Sequence, residues 1–190
     1  MATLLAASQT AAVLRVSFRR LGPGAHHSVR VERDGLAFDM DPFTQKGRIP
    51  HDLTHLLTEQ AFSIRHGIWG SIAEGAIFES MTLVEGRLRH DARQRSATVV
   101  KANAGDLGLG ELLPGPLSRA VEHDLDLPTA FKDLQRTWGS LRTDPLPYTA
   151  ADVERAICVY RDGVDAWDAT SLGEVLHVRW LEAARRGKQQ

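Results

Sequence analysis

The 190-residue chain is 43% hydrophobic and 25% charged, which is the balance of a globular domain and excludes disordered and membrane-embedded classes. Its 23 basic and 24 acidic residues leave a formal charge of -1, so no chain-wide field gathers nucleic acid or anionic lipid, and any such binding has to be local. No apolar run approaches the ~20 residues of a membrane span.

The opening Met1-Ala2-Thr3-Leu4-Leu5-Ala6-Ala7 is apolar but has no basic residue before it, which argues against a secretory signal. Arg15, Arg19 and Arg20 occur with no acid before Glu32, as in transit peptides, yet Leu14, Val16 and Phe18 alternate with Arg15, Ser17 and Arg19 as a strand does. Gly22-Pro23-Gly24 makes a turn, and Val29 and Val31 alternate in a second strand. Asp34-Gly35 is a hairpin signal, and Leu36–Met40 returns as a third strand that ends at Asp41-Pro42. The first forty residues therefore read as an antiparallel β-meander.

Ile49-Pro50 opens a helix, since proline suits a first turn whose N–H groups have no intrahelical partner. Leu53, Leu56, Leu57, Phe62 and Ile64 give it an apolar side. Gly67 and Gly70 bracket a packed corner at Ile68-Trp69, and a second helix is expected from about Ser71 to Ser80. Residues 83–100 read as an exposed helix with Arg87, Arg89, Arg93 and Arg95, and Gly105-Asp106-Leu107-Gly108-Leu109-Gly110 reads as a flexible join. Helices are expected from Pro116 to about Asp124 and from Thr129 to about Leu141. Asp144-Pro145-Leu146-Pro147 links to a helix capped by Thr149 with Asp152 and carrying Val153, Ile157, a buried Cys158 and Val159. Glu174–Trp180 alternates and is expected to rejoin the N-terminal sheet, before a polar tail from about Arg185. The whole predicts one α+β domain over residues 1–190: an N-terminal meander joined by a C-terminal strand and covered by several helices. The single cysteine permits no internal disulfide and fits the cytoplasm.

The feature shaped like chemistry is His51-Asp52-Leu53-Thr54-His55, followed by Glu59. Histidines four apart on a helix share a face and can grip one metal ion. An adjacent carboxylate can orient a ligand or take a proton, which assigns Asp52 the catalytic role. A third ligand is needed, and Glu59 and Glu74 are the candidates. The histidine pair and Glu74, eighteen residues after His55, resemble the HExxH-plus-glutamate pattern of gluzincin metallopeptidases. That resemblance implies zinc on His51, His55 and Glu74 and hydrolysis of a small-molecule or peptide substrate, although Asp52 stands where that family has glutamate. The motif is also similar to the HDxxH of a ubiquinone-biosynthesis family, whose following glutamate is replaced here by Gly67. Pro50-His51-Asp52-Leu53-x-His55-x-x-x-Glu59 with Gly67-Ile68-Trp69-Gly70 resembles uncharacterised bacterial proteins of similar length, which implies no activity.

The competing reading is structural: Asp52 favours a helix first turn whatever else it does, and His55 can pair with Glu59 one turn on. In that case the chain is a non-catalytic interaction or regulatory protein, and the arginine-rich helix meets a protein partner. Nucleic acid is not expected, because no aromatic residue is interleaved with the arginines to stack on bases. His26-His27 reads as a polar hairpin end. Gly105-x-x-Gly108-x-Gly110 lacks the lysine and hydroxyl of a phosphate loop.

Overall fold

The computed structural model describes residues 14–24, 26–41 and 47–180. The opening apolar segment, Pro42 and the polar tail lie outside the described residues.

Period-two alternation builds the sheet. Strands β1 (Leu14–Arg20), β2 (His27–Arg33) and β3 (Leu36–Met40) form the expected meander, with the Asp34-Gly35 turn at φ 49° and 73° between β2 and β3. Two successive positive φ values suit the twist of a tight hairpin and favour Asp-Gly there. β4 (Met81–Glu85) adds to β3, and β5 (Val175–Trp180) adds to β1, giving the order β4-β3-β2-β1-β5 with every pair antiparallel. The C-terminal strand thus returns to the N-terminal sheet, and the α+β class is as the sequence predicts.

One face of the sheet carries Leu14, Val16, Phe18, Val29, Val31 and Phe38, all buried. Arg15, Arg19, Arg30 and Glu32 face water on the other. The helices cover the apolar face. Helix α1 (His51–Phe62) is their centre: every residue from Asp52 to Glu59 is buried, because α1 packs against α7 (Ala150–Asp168) and is flanked by α2 (Ile68–Ala73), α4 (Ala104–Leu112) and α5 (Pro114–Glu122). Gln60 of α1 also donates to the Arg179 carbonyl of β5. The cap read at Thr149 forms, with Asp152 completing a reciprocal capping box at α7; Asp126, not singled out in the sequence, caps α6 (Leu127–Leu141) at Thr129. No helix among the described residues is long and apolar enough to cross a membrane.

Four local expectations are corrected. The second helix begins at Ile68 and stops at Ala73. The helix read over 83–100 is instead a strand, β4, followed by α3 (Ala92–Ala102). The glycine-rich join is α4, a helix despite three glycines; its neighbours supply the order that propensity lacks. In α7, Cys158 is exposed, because the buried stripe runs through Val153, Ala156, Ile157, Tyr160, Val164 and Trp167 and leaves residue 158 on the outer side.

Candidate functional site

His51 and His55 project from one side of α1, one turn apart, with ring centroids 4.3 Å apart and Nε2 atoms 3.0 Å apart. His55 is buried, and that burial, reinforced by the neighbouring His51, pushes its pKa down to about 4, although Asp52 and the Gly110 carbonyl pull upward. The ring is therefore neutral at physiological pH. Its Nδ1 is buried without a hydrogen bond of normal geometry, while the Gly110 carbonyl of α4 is close enough to favour a proton on the ring. Two Nε2 atoms at 3.0 Å share one proton: one ring donates and the other accepts, according to tautomer.

Asp52 is directed toward the sheet. Its Oδ2 lies 3.4 Å from Nε2 of His27, and both side chains are buried. His27 is the first residue of β2, on the same inward parity as Val29 and Val31, and its ring packs between Phe18 and Trp167. The Asp52 backbone carbonyl accepts the indole N–H of Trp69. His27 is thus a buried partner of the motif and not the polar hairpin end expected of His26-His27. Its parity in β2 was the available signal.

Glu59 is fully buried and binds the start of α2. Oε1 accepts from Ile68 N at 2.7 Å and Oε2 from Trp69 N at 3.1 Å. Burial pushes its pKa up to about 8 against the opposing pull of the Ile68, Trp69 and Gly70 N–H groups. A helix N-terminus leaves N–H groups unpaired, and Glu59 supplies the acceptor from another helix. Gly67 makes room: a Cβ there would lie 2.4 Å from Glu59 Cδ.

Glu74 sits at the other end of α2, half-exposed. Oε1 pairs with His66 Nδ1 at 2.8 Å, and Oε2 accepts from Asn103 Nδ2 at 2.8 Å. The five residues singled out in the sequence therefore divide into four places: the histidine pair, the Asp52–His27 contact, Glu59 at the start of α2 and Glu74 at its end. Among the described residues no group of three His, Cys, Asp or Glu side chains is positioned to hold a metal ion, so Glu59 and Glu74 do not complete a cluster with His51 and His55. A cleft of about 360 Å³ lies elsewhere, lined by Arg20, Pro23, Asp168, Thr170 and Leu172 among others.

The chain matches no protein-family model, no curated protein and no solved structure.

Proposed function

We propose that the protein binds a divalent transition metal, zinc first, through Nε2 of His51 and His55, and that hydrolysis is the reaction class. One observation carries this reading. The two ligand-type nitrogens converge to 3.0 Å, whereas tetrahedral zinc with Zn–N near 2.0–2.1 Å holds two nitrogens about 3.3 Å apart. Small ring rotations bridge that difference. Zinc held by His51 and His55 would polarise a carbonyl or phosphoryl oxygen. Two protein ligands would leave the remaining positions to water and substrate; Asp52, turned toward His27 on β2, would have to leave that contact to act as the proton acceptor of this reading. We place the protein in the cytoplasm, since its one thiol permits no internal disulfide.

The test is metal content of the untagged protein by plasma mass spectrometry, with a His51→Ala/His55→Ala variant as control. Near-stoichiometric zinc that the variant lacks is expected. A folded, metal-free protein that takes up no added zinc overturns the reading.

A second reading, a non-catalytic protein with α1 as structural element, is favoured by one observation: the Asp52 and Glu59 carboxylates already serve packing contacts, to β2 and α2 respectively. The same measurement separates the two.

A further inference from the structure

Among the described residues seven arginines, Arg30, Arg33, Arg48, Arg119, Arg136, Arg155 and Arg161, each have a carboxylate within ion-pair distance. The segment running through β4's exit into α3 is different. Arg87, Arg89, Arg93, Arg95 and Lys101 are all exposed, and among the described residues none of their side chains makes an ion pair or a hydrogen bond. Asp91 is the lone acid between them. Five cations against one acid in a chain of net charge -1 make a local field that the global balance conceals.

Helix α3 lacks the usual reasons to be a helix. Only Ser96 is buried along it, so it has no apolar stripe, and its one oppositely charged i, i+4 spacing, from the N-cap Asp91 to Arg95, forms no ion pair. A helix polar on all sides is stabilised by such pairs or by something outside itself. Its first turn holds no acid and no side-chain cap, while Arg93 and Arg95 add positive charge at the end where the dipole is already positive. What fastens it is polar: Ser96 Oγ accepts from Ile77 N and donates to Ile77 O, and Asn103, just past the helix, donates to Glu74. The inner side is thereby held and the outer side is left fully presented.

We infer that Arg87, Arg89, Arg93, Arg95 and Lys101 form a docking surface for an acidic segment of a partner protein. Charge complementarity selects an anion, and arginine's planar fork matches carboxylates bidentately. The protein partner is favoured over nucleic acid by two features. No aromatic residue lies between Arg87 and Lys101 to stack on bases, and the rest of the chain carries a net negative charge, which opposes an extended polyphosphate that reaches beyond the patch more than a short acidic segment that stays on it.

The experiment uses the full chain and fluorescence anisotropy at about 150 mM salt, with a labelled peptide of alternating Glu and Ala and, in parallel, duplex DNA and RNA of matching charge. The peptide is expected to bind more tightly than either duplex, to lose at least about tenfold in affinity in the Arg87→Glu/Arg93→Glu/Arg95→Glu variant, and to keep its affinity in a Lys132→Glu/Arg142→Glu control. Its addition is expected to slow amide exchange in α3. The Arg87→Gln/Arg93→Gln/Arg95→Gln variant, which preserves helix propensity, carries the test if charge reversal unfolds the protein. No peptide binding at this salt, equal loss in the control, or tighter binding of a duplex would each overturn the inference.

Discussion

The Glu59 carboxylate and the α-carbon of Gly67 compete for one small volume: a methyl group at residue 67 would stand 2.4 Å from Glu59 Cδ and 2.6 Å from each of its oxygens. The glycine and the buried acid are thus one device, by which α1 holds the beginning of α2.

Gly67→Ala is therefore expected to destabilise the fold by about 3 kcal/mol or more, since it displaces a buried carboxylate from its N–H donors. Gly108→Ala is the contrast. A Cβ there meets nothing within 4 Å, and the substitution in α4 should be neutral or stabilise by about 0.5–1 kcal/mol. Urea unfolding of both variants checks the pair; equal effects would refute the packing argument.

Two buried groups give stability opposite pH slopes. Glu59 rises from 4.5 to about 8 on folding, so the folded protein holds the extra proton between those values; its contribution is complete below 4.5 and is lost as pH rises through 8. His55 falls from 6.5 to about 4; its contribution is complete above 6.5 and is lost as pH falls through 4. Between about 4.5 and 6.5 the slopes oppose, and from 6.5 to 8 only the Glu59 decline remains. Glu59→Gln should lower stability overall, because its amide N–H₂ faces donors, yet flatten the 6.5–8 limb. An unchanged slope in denaturation measured across that range would assign the decline to another group.

Asp52→Ala removes the carboxylate that His27 faces in the core, and a loss of about 1–3 kcal/mol is expected even with a chelator present. If stability is unaltered in chelator, the Asp52–His27 contact has no structural weight and Asp52 serves chemistry alone.

Zinc that binds the folded protein alone stabilises it by about 2.7 kcal/mol at a hundredfold excess over Kd, or roughly 5–10 °C in Tm for a chain of this size. Thermal unfolding with added zinc should show the rise in the native protein and none in His51→Ala/His55→Ala. A rise of equal size in both would place the metal elsewhere.

The meander, the returning strand, the helix after Pro50 and the Thr149 cap were legible because each is written in local periodicity or in capping chemistry. β4 was not, since only Met81 of its five residues is buried and the arginines that follow gave the stretch a solvated helical character. α4 was hidden by glycine propensity, which packing overrode. The histidine pair was readable from i, i+4 spacing alone. The roles of the acids were not, because the partners of Asp52 and Glu59 are set by tertiary folding: Glu59 bonds backbone N–H groups nine and ten residues on, and Asp52 a histidine 25 residues back. A glycine at 67 was the only sequence trace of the first.

The hydroxyl of Ser17 on β1 meets the His177 ring on β5 across 160 positions of chain. A ribosome adding about 5–20 residues each second needs on the order of 10–30 s to make the intervening stretch. A meander formed in that interval would hold β1 with the row of N–H and C=O groups that β5 later takes still unpaired. Arg15 and Arg19, projecting beside that row, are the kind of charge that discourages pairing with a passing strand.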